Sequence, residues 1–98
     1  MDIEHLTFTD GPEKVGPFSH AVRADKYLFI TGQMPTIKND NSKLVSGGIE
    51  EQTHQVMKNL INVLNSCGSS LDKVIFARVY LVHFGDFKKM NTVYSTYF

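Results

Sequence analysis

Tyr27-Leu28-Phe29-Ile30 is an unbroken apolar run that stops abruptly at Thr31-Gly32-Gln33-Met34-Pro35. A run of that length, closed by turn residues, reads as a buried strand. Pro35 has no N–H to give to a ladder, so pairing is expected to finish near it. Gly32 offers little side chain, so another group can approach the backbone there. A buried strand that opens onto accessible backbone is a candidate wall for a ligand pocket.

The surrounding pattern supplies further elements. Leu6-Thr7-Phe8-Thr9 alternates and predicts a short first strand, ended by the turn residues Asp10-Gly11-Pro12. The stretch from Gly11 to Pro17 reads as a stiff loop that aims Phe18-Ser19-His20. Its glycines are not a phosphate loop, because no Gly-Lys-Ser/Thr follows. Ser19 to Arg23 predicts a second strand, joined to Tyr27 by a hairpin connection at Ala24-Asp25-Lys26. Asn39 to Lys43 reads as a solvated loop, and Ser46-Gly47-Gly48 as a breaker.

A helix is expected from about Ile49 to Cys67. Glu50 and Glu51 suit the dipole in its first turn, and Gly68 stops it. Val56, Met57, Leu60, Ile61, Val63, Leu64 and Cys67 cover an arc of roughly 160°. So wide a face fits a broad partner such as a sheet, and Cys67, inside the arc, reads as core. Asp72 to Val82, rich in β-branched and aromatic residues, predicts a third long strand. Reaching it through a helix implies a crossover and a parallel pair. Asp86 then caps a second helix. Phe87, Met90, Tyr94, Tyr97 and Phe98 share its apolar stripe, with Asn91 on the shoulder. A partly buried amide there needs partners and either ties down a loop or belongs to a site. Ending on Tyr97-Phe98 inside an amphipathic helix predicts a domain incomplete at its C-terminus.

Composition narrows the classes. Ninety-eight residues allow one domain. Ten basic and ten acidic residues cancel, which weakens a nucleic-acid reading. The single cysteine forbids an internal disulfide and suits a reducing compartment. No signal peptide is visible, and no apolar run approaches the roughly 18 residues that span a bilayer; a cytoplasmic protein is expected, with a mitochondrial location left open. His5, His20, His54 and His83 lack metal-ligand spacing. Ser19 and Thr31 lie in no nucleophile motif. The residues alone give a small α+β domain with a candidate pocket at Thr31 and Gly32.

Three separated segments carry a resemblance. They are Gly16-Pro17-Phe18-Ser19-His20-Ala21-Val22, Leu28 to Pro35, and Asp86-Phe87-x-x-Met90-Asn91-x-x-Tyr94-x-x-Tyr97-Phe98. Together they resemble the RidA/YjgF family, also described as endoribonuclease L-PSP, over about residues 4 to 98. The resemblance implies a chorismate-mutase-like α+β fold, a mixed sheet with two helices on one face, with its C-terminal strands missing from this chain. It also implies a homotrimer with clefts between subunits. The implied activity is hydrolysis of enamine and imine acids such as 2-aminoacrylate to 2-keto acids and ammonia, with no metal or organic cofactor. RNA cleavage or translation inhibition, and a non-catalytic ligand-binding trimer, are the alternatives.

Carried over by residue, the resemblance places Phe18, Thr31, Gly32 and Asn91 at the substrate. Phe18 stands where deaminases of the family carry a tyrosine, which keeps the apolar wall and loses a donor. The family's carboxylate-clamping arginine and its cleft glutamate are expected beyond Phe98, so no catalytic residue is assigned within the chain. Arg23 and Arg78 are not at the matching place.

Overall fold

A computed structural model describes residues 2–9, 12, 14, 18–37 and 40–98. The predicted turn at Asp10-Gly11 and most of the loop through Pro17, including the Gly16-Pro17 motif, lie outside the described residues. Three strands, β1 (Ile3–Leu6), β2 (Ala21–Ala24) and β3 (Tyr27–Ile30), form an antiparallel sheet in that order. β1 thus occupies Ile3–Leu6 and not Leu6–Thr9. Its register sets Ile3 opposite Ala24 and Leu6 opposite Ala21. β2 and β3 pair from Ala21–Ile30 to Ala24–Tyr27, so Asp25-Lys26 is the two-residue connection. Asp25 takes φ 56° there, a left-handed conformation that aspartate tolerates.

The register sorts the side chains by face, because successive residues point to opposite sides. Leu6, Ala21, Arg23, Leu28 and Ile30 share one side. Ala21 is fully buried, and Arg23 donates from Nη2 to the Cys67 carbonyl at 3.2 Å. Ile3, Val22, Tyr27 and Phe29 share the other, where Phe29 is 61% exposed. One sheet face is thus covered and the other is apolar but open.

A second antiparallel pair, β4 (Thr36–Ile37) and β5 (Asp40–Leu44), lies where a solvated loop was expected. Next comes helix α1 (Ile49–Ser66). It ends as Gly68 allows: Gly68 has φ +77°. Its N–H donates to Asn65 O and that of Ser69 to Leu64 O, at 3.0 and 2.8 Å, the Schellman pattern that satisfies terminal carbonyls. At the start, Glu51 accepts from the Gly48 N–H at 3.1 Å. Gly47 makes room for that carboxylate: its φ is +111°, and a Cβ there would sit 2.7 Å from Glu51 Cγ and Cδ. Gly47→Ala should therefore destabilise the fold by about 1–2 kcal/mol, from the left-handed backbone alone. The check is a lower urea midpoint at unchanged m-value.

Helix α2 (Phe87–Tyr94) packs on α1. Met57, Val63, Leu64, Met90 and Val93 join Ala21 in the core. The stripe on α2 is phased on Met90 and Val93; Phe87 and Phe98 are exposed. Cys67 is half-buried and caps α1.

The expected strand at Asp72–Val82 does not form. Leu71–Lys73 is a 3₁₀ turn, and residues 74–83 carry neither helix nor ladder. Tyr80 and Val82 are 84% and 93% exposed, and Arg78 stacks over Phe76 at 5.3 Å. Strand propensity measures fit to a neighbour, and no described strand supplies one here. The expected parallel pair is accordingly absent among the described residues, and every pairing is antiparallel.

Candidate functional site

The chain leaving β3 borders a cavity of about 30 Å³. Phe18, Ser19 and His20 form one side, and Thr31 to Met34 with Thr36 form the other; Lys14 is the one charged residue in this lining. The two sides are tied together. The Thr31 N–H donates to the His20 carbonyl at 3.2 Å. Its hydroxyl donates to the Ser19 carbonyl at 2.5 Å. With its proton so placed, Thr31 Oγ1 offers the cavity its lone pairs and not a donor. Gln33 Nε2 donates back to the Thr31 carbonyl at 2.8 Å.

His20 is buried and works as a strut. Nδ1 accepts from the Phe8 N–H at 2.9 Å, which places the ring proton on Nε2. Nε2 then donates to the Pro12 carbonyl at 2.6 Å. The Phe8 ring stacks on it with centroids 5.9 Å apart. Both nitrogens are committed to backbone, so the ring is in no position to act as a base toward Thr31.

Of the four residues expected at the substrate, three come together here: Phe18, Thr31 and Gly32 line the cavity. A Cβ at Gly32 would meet no atom within 4 Å, so the backbone there faces open space. Asn91 lies elsewhere. It is exposed on α2 and does not line the cavity, because the α2 stripe is phased away from it.

The amide the sequence reading passed over is Asn59, on α1. It is 4% exposed. Nδ2 donates to the carbonyls of Met34 and Thr36, both at 3.0 Å, and Oδ1 accepts from Gln55 Nε2 at 3.0 Å. Helical phase carried a signal: Asn59 falls about 40° beyond Val63, at the edge of the apolar arc.

Cys67 stands apart from the cavity. Burial pushes its thiol up, partly offset by the Arg23 guanidinium. A raised thiol is a poor nucleophile at neutral pH. Among the described residues no group of three or more His, Cys, Asp or Glu could hold a metal ion. Among the described residues no helix is long and apolar enough to cross a membrane. The arrangement is a small cavity wall of backbone, the hydroxyl residues Ser19, Thr31 and Thr36, and the Phe18 ring, with Lys14 in its lining.

Comparison with known proteins gives this wall a context. The family Endoribonuclease L-PSP matches residues 8–98. A RutC family protein of Pyrococcus horikoshii is 42% identical over 97 residues, covering 98% of this chain and 76% of its own length. The 2-iminobutanoate/2-iminopropanoate deaminase of Mus musculus is 34% identical over 93 residues, covering 95% of this chain and 68% of the mouse protein. A yeast protein of known crystal structure superposes with a TM-score of 0.92 at 32% identity, over 99% of this chain and 76% of that one. The α+β fold is thus that of YjgF-type structures. Its sequence and its fold agree: the chain belongs to the RidA/YjgF family, the endoribonuclease L-PSP family.

Proposed function

We propose that the protein hydrolyses reactive enamine or imine acids of the 2-aminoacrylate type. Likeness to the mouse 2-iminobutanoate/2-iminopropanoate deaminase carries this reading. Water adds to the imine carbon, the C–N bond breaks, and a 2-keto acid and ammonia leave. The Phe18 ring and the Thr31-Gly32 backbone provide one side of the site. Asn91 would enter only if another part of the assembly brought it to the cleft.

The working form proposed is a homotrimer with its sites between subunits. Ligand pockets commonly enclose about 300–1,000 Å³. A cavity of about 30 Å³ is a fraction of one, as expected of a single wall. The accessible surface, 6985 Å² for 11.1 kDa, is about 1,300 Å² above that of a compact monomer of this mass.

Ammonia release from freshly generated 2-aminoacrylate tests the reading; a rate equal to the spontaneous one would sink it. Thr31→Val should lower the rate about 5- to 100-fold, as for loss of one hydrogen-bonding oxygen. Thr31→Ser should keep most of it. The name endoribonuclease L-PSP favours RNA cleavage as a second reading. Net charge zero opposes it, and RNA loss that persists after contaminating nuclease is removed would support it.

A further inference from the structure

We propose that Asn59 is a positioning residue for the ligand wall: its amide, oriented by Gln55, fixes the Met34 and Thr36 carbonyls and through them the path of Thr31-Gly32-Gln33. The proposal rests on the deaminase reading only for its kinetic arm.

Asn59 itself is absent from the cavity lining, whereas Met34 and Thr36 belong to it. An asparagine amide has two N–H donors and one acceptor oxygen. Both donor bonds go to carbonyls two residues apart, at 3.0 Å each. In an extended chain, positions two apart face the same way, so one NH₂ group can serve both and hold Pro35 between them. The Gln55 Nε2 bond to Oδ1 settles which way the amide points. Reversed, the oxygen would meet two carbonyl oxygens. Gln55 and Asn59 are four apart on α1 and therefore neighbours on one helix face.

The wall has few other anchors of this kind. At one end the Thr31 N–H reaches the His20 carbonyl, and at the other the Val45 N–H reaches the Pro35 carbonyl at 2.9 Å. Gln33 Nε2 bonds locally, back onto the Thr31 carbonyl at 2.8 Å. Asn59 is what couples this strand exit to the buried side of α1. A shift of its two carbonyls would move Met34 and, through the short chain to Gly32, the backbone that faces the ligand.

The test compares Asn59→Asp, which keeps size and acceptor but removes both donors, with Gln55→Met, which leaves both carbonyl bonds and removes the orienting one. Amide hydrogen exchange and steady-state kinetics are measured on the full chain. Asn59→Asp should speed exchange of the Thr31 and Val45 amides, whose hydrogen bonds close the two ends of this stretch, by about tenfold or more, while the rest of the β2–β3 ladder and the Val63–Leu64 amides stay protected. Its kcat on 2-aminoacrylate should fall up to about a hundredfold, with KM changed far less. Gln55→Met should give the same pattern, weaker. Exchange that accelerates equally everywhere would mean a role in stability alone and overturn the proposal, as would unchanged exchange at Thr31 and Val45. If the unaltered protein releases no ammonia, the deaminase reading fails by itself, and the exchange pattern still decides the role of Asn59.

Discussion

Replacing Tyr27 and Phe29 together with glutamate should convert the proposed trimer to monomers at micromolar concentration. Both side chains lie on the open face of the three-stranded sheet, with Tyr27 opposite Ala24 and Phe29 opposite Val22. Ile3 joins them from β1. All three are more than half exposed in one copy of the chain, so the substitutions leave the monomer's own core intact. Burying an aromatic of this size contributes about 1.5–3 kcal/mol, and burying an unpaired carboxylate in its place costs several more. Two such changes per copy amount to at least about 5 kcal/mol, or more than a thousandfold in the association constant. Sedimentation velocity reads the result directly. Lys58→Glu, on the exposed side of α1, should leave the mass unchanged. If the double variant sediments like the parent, the sheet face is not the interface, and the exposed ribbon from Ile75 to Val82 becomes the candidate. On the proposed intersubunit site, activity should vanish with assembly, because each cleft would lose the wall a second copy supplies.

The elements that could be read from the residues are those whose cause is local. The breaker Ser46-Gly47-Gly48 and the terminator Gly68 bracket α1 within a residue, because each acts through its own backbone. The β2–β3 hairpin follows from a two-residue connection that Asp25 accommodates. What could not be read depends on partners far along the chain. Asp40-Asn41-Ser42-Lys43-Leu44 has the composition of a loop, yet forms β5 because Thr36-Ile37 lies beside it. Val74 to Val82 has the composition of a strand and forms none, because no described segment pairs with it. The site shows the same division. Thr31 and Gly32 stand out through the abrupt end of an apolar run. Choosing between the amides of Asn59 and Asn91 needed the packing phase of two helices, and periodicity alone left that phase uncertain by the width of one residue.

His20→Ala should be the most damaging single substitution near the site, costing about 3–5 kcal/mol. Two backbone groups, one half-buried and one buried, lose their partners at once: the Phe8 N–H loses its acceptor and the Pro12 carbonyl its donor. Leaving such a group unsatisfied costs about 1–3 kcal/mol each, and the stacking with Phe8 is lost as well. Domains of this kind retain only about 5–15 kcal/mol, so a third or more of the stability is at stake. The two nitrogens can be separated. Asparagine places an acceptor near the position of Nδ1 and should restore the bond from Phe8; glutamine reaches toward Nε2 and should restore the bond to Pro12. Both variants should unfold at urea midpoints between those of His20→Ala and the parent, with m-values unchanged. An alanine variant within about 0.5 kcal/mol of the parent, the range of ordinary surface changes, would show that His20 is not the strut. Ligand binding should fall further than stability does, because His20 holds Phe8 and Pro12 against the same short segment, Ser19 to Ala21, whose carbonyls receive both hydrogen bonds from Thr31.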